Sequence, residues 1–156
     1  MAVSIEQIKE LREETGAGIQ LSPNASRILI ELGLGERLAA TAIAPHAIRV
    51  MAGGSGREIV RIPLADAAQV YGAPFLTIHR GDLQAALAGA ARTIQDITLR
   101  LGLRVEDFAT HTKGISVLAR GGRQVTDERG IALVGADGIW SSVSNMLHQQ
   151  RPPRFA

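Results

Sequence analysis

One apolar run does most to restrict the fold of this chain. Residues 131–134 read IALV without a polar interruption, and the glycine-bounded turn GADG follows at residues 135–138. An unbroken run of this kind is typical of a strand buried on both faces of a parallel or mixed sheet. A helix is predicted after it, from about residue 141 to residue 149. Because helix and strand patterns also alternate upstream, the sequence predicts an α/β or α+β fold and disfavours a helix bundle or a β-sandwich.

The best-marked helix is predicted over residues 23–32. Ser22 is a favourable N-cap and Pro23 fits the first helical position. Gly33 follows where helices commonly end. Apolar residues recur at i, i+3, i+4 and i+7, so one face is expected to lie in the core, formed by Ala25, Ile28, Leu29 and Leu32.

A β-hairpin is predicted between residues 47 and 63. Apolar and polar residues alternate on both sides of the segment GGSG at residues 53–56. No helix pattern follows these glycines, so a turn is a better interpretation than a phosphate-binding loop. The hairpin would form an inserted β-layer on the α/β core.

Composition excludes several classes of function. The formal charge of +2, with 17 basic and 15 acidic residues, is too weak to indicate nucleic-acid binding, and only five aromatic residues are present. Without cysteine there is no disulfide or thiolate metal site. The four histidines do not show metal-ligand spacing. No apolar run is long enough for a membrane span and no signal peptide is visible, so we expect a cytoplasmic protein without nucleic-acid or membrane partners.

Candidate ligand contacts lie in two loops and at one arginine. Residues 16–24 (GAGIQLSPN) place a permissive loop before the capped helix, although an ordinary connection is the more common role of such a loop. Residues 134–142 (VGADGIWSS) place Asp137 where open α/β sheets bind ligands, and a simple strand-ending turn fits equally well. Arg80 lies at a predicted junction between a strand and a helix. Its side chain can reach a phosphate from there, but a solvent-exposed surface arginine is the more common case.

Three segments together resemble one family. GAGIQLSPNASRILIELGL, LTIHRGDLQAAL and ALVGADGIWSSV occur in the order seen in class A flavin-dependent aromatic monooxygenases, the group of salicylate hydroxylase and p-hydroxybenzoate hydroxylase. The resemblance implies a Rossmann-type FAD-binding fold with a substrate-binding β-layer. It also implies that a small aromatic compound is hydroxylated with O2, with NAD(P)H as reductant of the FAD.

The same resemblance implies cofactor-binding residues and leaves the catalytic ones unknown. Gly18 and Gln20 would lie near the isoalloxazine ring, and Arg80 would contact the cofactor. Asp137 and Gly138 would serve FAD and the nicotinamide cofactor.

The N-terminus supports two interpretations. By the same resemblance, Glu6 would end the second Rossmann strand and bond the adenosine ribose of FAD. Residues 1–18 (MAVSIEQIKELREETGAG) also resemble the opening of elongation factor Ts, a helical domain that contacts a translational GTPase. Residues 1–14 are therefore either the tail of that strand or a foreign leader.

The chain resembles an internal fragment of the family. The family's G-x-G-x-x-G unit, which holds the pyrophosphate, does not occur in the sequence. Ser144 replaces the arginine usual after S-x-V. We therefore expect residues 1–156 to form one partial FAD-binding domain that self-associates, most simply as a homodimer. The alternative is a non-catalytic remnant or interaction module without cofactor.

Overall fold

The computed structural model describes residues 3–8 (backbone only), 18–138 and 140–148. Its contacts divide the chain into two compact units, Met1–Glu10 with Gln95–Ala156, and Leu11–Ile94. We call the first the outer-termini unit and the second the central unit. The expected single domain over residues 1–156 stays a prediction.

The described elements mix helices and strands along the chain. In chain order they are β1 (Val3–Ile8), β2 (Gly18–Leu21), α1 (Pro23–Leu29), α2 (Gly35–Thr41), β3 (Ala47–Met51), β4 (Glu58–Pro63), α3 (Ala67–Tyr71), β5 (Leu76–His79), α4 (Arg80–Thr93), β6 (Ile97–Leu101), β7 (Arg104–His111), β8 (Gly114–Gly121), β9 (Gln124–Gly130) and α5 (Ser142–His148).

The central unit contains two antiparallel strand pairs. In the first, β2 pairs with β5, which places Gly18 opposite His79. In the second, β3 pairs with β4, and Val50 lies opposite Val60. This second pair is the hairpin predicted from the alternating pattern, and the glycine-rich segment forms its turn.

The predicted core face of the first helix is half wrong. Ala25 and Leu29 pack partly buried against the core, but 54% of Ile28 and 65% of Leu32 are exposed. The face is rotated toward Ser26, which is fully buried and donates a hydrogen bond from Oγ to the carbonyl of Pro74 at 2.6 Å. A hydroxyl with a backbone acceptor can occupy a core position that a purely apolar pattern does not show.

Gly33 ends this helical stretch as expected. Its φ of +82° breaks the turn over Ile30–Leu34 that joins α1 to α2. The kink places Leu34 and Leu38 almost completely inside the core. The buried cluster of the central unit consists of Leu21, Leu34, Leu38, Leu76, Ile78 and Ala86.

In the outer-termini unit, β1 pairs in parallel with β6, and β7, β8 and β9 form an antiparallel meander. The charged stretch after Glu6, whose composition over residues 7–14 is compatible with a helix, continues β1 to Ile8 and then leaves the described residues. Gly102, at φ +75°, separates β6 from β7. Apolar residues alternate with other residues from residue 97 to residue 105, and this stretch forms two strands with a turn between them.

The strand predicted over residues 131–134 is wrong. The segment has no strand hydrogen bonds, and 75% of Ile131 and 84% of Val134 are exposed. A strand needs a neighbour to satisfy its backbone groups and to cover its side chains. No strand among the described residues pairs with this segment, so its apolar character does not produce a strand.

Candidate functional site

The two faces of the β2–β5 sheet differ in character. Ile19 and Leu21 of β2 point inward, whereas Gly18 and Gln20, which alternate with them along the strand, are exposed. Directly paired residues of an antiparallel sheet share a face, so Gly18 and Gln20 lie beside their partners on β5. We call this set the outer face of the β2–β5 sheet; it consists of the exposed residues Gly18, Gln20 and His79 and the half-buried Thr77.

Arg80 begins α4 directly beside this outer face. His79, the last residue of β5, is also the N-cap of α4, and its Nδ1 accepts a hydrogen bond from the Gly81 amide at 3.2 Å. Arg80 is exposed. Because Gly18 is paired with His79, Arg80 follows the end of the sheet at which Gly18 lies, and Gln20 is two residues further along β2. The family resemblance implied cofactor contacts for all three residues.

Gly18 is not required by the packing of this sheet. A Cβ built on it would lie 3.9 Å from the nearest atom, the Ile78 carbonyl oxygen, an ordinary contact distance, and its φ is not left-handed. The internal structure therefore tolerates a side chain there. A glycine at an exposed position without an internal reason is consistent with close approach of a ligand to the backbone.

Asp137 anchors the start of α5. Its Oδ2 accepts hydrogen bonds from the backbone amides of Ser142 at 2.6 Å and Val143 at 3.2 Å, and its Oδ1 accepts one from Ser141 Oγ at 2.5 Å. Partial burial raises the pKa of Asp137, but these bonds together outweigh it and hold the pKa below its ordinary value. The carboxylate is thus charged at neutral pH, and both of its oxygens are engaged within the protein.

The glycines around Asp137 have local reasons. A Cβ on Gly135 would lie 2.8 Å from Cβ of Val143, the buried residue of α5, so the glycine allows the loop to pass close to the helix. Gly138 adopts φ +75°, and nothing lies within 4 Å of its Cβ position. The sequence analysis assigned no role to Gly135 and did not predict two side-chain caps. These are His79, which accepts the Gly81 amide of α4, and Ser141, whose Oγ accepts the Ser144 amide of α5. A hydroxyl four residues after Asp137 was the available signal for the latter.

The remaining predicted contact, Glu6, lies in β1, and its side chain is outside the described residues. Glu6, Asp137 and Gly138 belong to the outer-termini unit, and Gly18, Gln20 and Arg80 belong to the central unit. Across the described ranges, no group of three or more acidic or histidine side chains could hold a metal ion. In the same ranges, no helix is long and apolar enough to cross a membrane.

Comparison with characterised proteins finds relatives among aromatic hydroxylases. The chain is 32% identical over 156 residues to 3-hydroxybenzoate 6-hydroxylase 1 of Aquipseudomonas alcaligenes, covering 99% of this chain and 39% of that protein. It is 41% identical to the phenazine 1,6-dicarboxylic acid hydroxylase PhzS of Lysobacter antibioticus, covering 96% of this chain and 37% of that protein. The chain thus spans less than two fifths of the length of these relatives. No family model matches the sequence.

Solved structures show the same fold. The flavin-dependent monooxygenase PieE, determined with FAD and substrate, superposes with a TM-score of 0.78 at 20% identity, covering 92% of this chain and 27% of PieE. The p-nitrophenol 4-monooxygenase PnpA of Pseudomonas putida DLL-E4 gives a TM-score of 0.80 at 16% identity, covering 94% of this chain and 37% of PnpA. The predicted α/β class and FAD-binding monooxygenase fold are confirmed.

Proposed function

We propose that this chain, which spans less than two fifths of the length of the aromatic hydroxylases it resembles, forms part of the FAD site of a class A flavin-dependent aromatic monooxygenase. One observation carries the proposal. Gly18 and Gln20 lie on the outer face of the β2–β5 sheet, and α4 begins with the exposed Arg80 directly after His79, the residue paired with Gly18. That arrangement combines an open backbone, an amide side chain and a cation.

The residues of the central unit fit a flavin dinucleotide. Arg80 offers a permanently charged guanidinium with several N–H donors, which suits the carbonyl and phosphate oxygens of such a molecule. Gln20 can both donate and accept hydrogen bonds, and Gly18 lets a flat ring approach the backbone. When bound, FAD supplies the redox chemistry, taking electrons from NAD(P)H and activating O2 for hydroxylation of the ring. The role of these side chains is to bind and orient the cofactor.

Asp137 and Gly138 fit the cofactor in a different way from that expected. Both carboxylate oxygens of Asp137 already accept bonds within the loop and α5, so we assign this side chain to holding the loop rather than to direct contact with the cofactor. Gly138, with its left-handed backbone and open surroundings, is the group that a ligand can approach. Glu6 remains the proposed ribose contact.

The substrate class follows from the relatives. Their names state 3-hydroxybenzoate and a phenazine dicarboxylic acid as the compounds hydroxylated. We accordingly propose a small aromatic substrate for the whole enzyme. A cytoplasmic location and self-association as a homodimer belong to the same proposal.

Flavin titration of the chain tests the proposal. FAD should bind weakly, with Kd above about 10 μM, because the sequence has no G-x-G-x-x-G loop to hold the pyrophosphate. Arg80→Ala should weaken binding by about tenfold or more, the effect of losing a charged hydrogen bond. Quenching of flavin fluorescence gives both constants.

Arg92 provides the matched control because it lies in the last turn of the same helix. Arg92→Ala removes an identical charge far from the outer face of the β2–β5 sheet and should leave Kd within a factor of about two. Equal losses in the two variants would indicate a nonspecific charge effect and would contradict the assignment of Arg80.

A further inference from the structure

His79 holds the junction between β5 and α4 from two sides. On one side its backbone is paired with Gly18 of β2. On the other side its ring nitrogen Nδ1 accepts the Gly81 amide hydrogen, so the imidazole lies over the first turn of α4. Arg80 is the single residue between these two attachments.

Gly81 is matched to this ring position. A Cβ on Gly81 would lie 3.2 Å from Nδ1 and 3.5 Å from Cε1 of His79, closer than most side-chain contacts in proteins. With glycine there, the ring reaches the amide without displacement. The pair therefore works as one unit, a ring that caps the helix and a residue that leaves room for it.

Histidine is not among the side chains that best cap a helix. Serine, threonine, aspartate and asparagine reach the N2 or N3 amide with a short side chain and are strongly preferred. A cap by the larger imidazole ring holds the backbone at His79 to the first turn of α4. The backbone direction at Arg80 is set by the same contact.

We propose that His79 is a positioning residue for Arg80. Its cap on Gly81 and its pairing with Gly18 fix the direction in which the arginine leaves the sheet. The contact of Arg80 with FAD therefore depends on the cap. This role rests on the proposed function, in which Arg80 contacts FAD.

Two substitutions separate positioning from general stability. His79→Asn keeps an acceptor on a side chain that caps well, whereas His79→Leu removes the acceptor and retains bulk. We expect His79→Leu to raise the Kd for FAD about fivefold and His79→Asn to keep it within about twofold of the wild-type value. Amide hydrogen exchange of Gly81 should be faster in the leucine variant only.

A double-mutant cycle with Arg80 decides the mechanism. If His79 acts through Arg80, His79→Leu should have no further effect on Kd once Arg80→Ala is present. Additive effects would overturn the proposal, as would faster Gly81 exchange without any change in Kd. Unchanged Gly81 exchange in His79→Leu would show that the cap is not formed. Absence of FAD binding by the wild-type chain would overturn the proposed function and this role with it, a result distinct from the others.

Discussion

At the residue scale, side-chain caps coincide with the positions predicted to bind the cofactor. The N-cap side chains of α1, α2 and α3 accept no hydrogen bond from the backbone amides of their helices. His79 does accept one at α4, next to Arg80. At α5 the preceding residue Ser141 accepts the Ser144 amide, and Asp137, next to Gly138, accepts the amides of Ser142 and Val143. Rigid attachment of a loop to a helix start holds neighbouring groups in place, which a binding site requires.

Removing the cap of α5 should have a local effect on stability. We expect Asp137→Ala to lower the free energy of unfolding of this region by about 0.5–2 kcal/mol, because the first-turn amides of Ser142 and Val143 lose the carboxylate that accepts their hydrogen bonds. Trp140 is the only tryptophan and lies between Asp137 and α5, so its fluorescence during urea unfolding reports on this segment.

Asp66 is the control for this substitution. It occupies the N-cap position of α3 but makes no side-chain cap hydrogen bond, so Asp66→Ala should change stability by less than about 0.5 kcal/mol.

The pKa of Asp137 is lower in the folded chain, so its stabilising contribution should be complete above about pH 4 and lost as the pH falls through the folded value. An Asp137→Ala variant as stable as wild type at neutral pH would disprove the cap.

At the element scale, local turn chemistry was easier to predict than burial. The β3–β4 hairpin follows from alternation around a glycine-rich segment, and the end of the first helical stretch follows from Gly33, because both depend on nearby residues. Burial depends on distant neighbours. The sequence alone therefore did not show that Ile131 and Val134 are exposed, or that Ile28 and Leu32 do not face the core.

For the candidate site, the sequence indicated which residues to consider but not their hydrogen-bond partners. The three segments that carried the family resemblance located Arg80 and Asp137, but the sequence did not show what each side chain bonds. The hydrogen bonds at the start of α5 join Asp137 to Ser141 and to helix amides five and six residues further on, so they are local but depend on the path of the intervening turn. A sequence pattern can place such residues on one loop without fixing which groups accept the hydrogen bonds.

Two leucines on adjoining helical turns test the corrected core. Leu38 of α2 is 1% exposed, and Leu38→Ala should destabilise the central unit by about 2–5 kcal/mol because it creates a buried cavity. Leu32→Ala makes the same chemical change at an exposed position and should cost less than about 0.5 kcal/mol. Urea unfolding followed by circular dichroism compares them. The opposite order would restore the face first predicted from the sequence.

At the scale of the whole molecule, apolar surface remains exposed on the hairpin. Ile48 and Val50 of β3 lie opposite Ile62 and Val60 of β4, on one face of the two-stranded sheet. The other face carries Arg49, whose Nε is 2.5 Å from Oε2 of Glu58. A two-stranded sheet with one apolar face is marginally stable in water unless another surface covers that face.

The chain should self-associate through this apolar hairpin face. A second copy can cover the face with the same residues, as a symmetric dimer requires, and burial of the aliphatic side chains supplies the free energy. Light scattering coupled to size-exclusion chromatography should show an average mass that rises from monomer toward dimer between about 5 and 100 μM protein. This range covers a dimer dissociation constant in the micromolar range. Val60→Lys places a charge on the face and should shift this transition to higher concentration. Gln69→Lys adds the same charge at an exposed position of α3 and should leave it unchanged. A wild-type chain that stays monomeric throughout, or equal shifts in the two variants, would exclude the hairpin face as the contact.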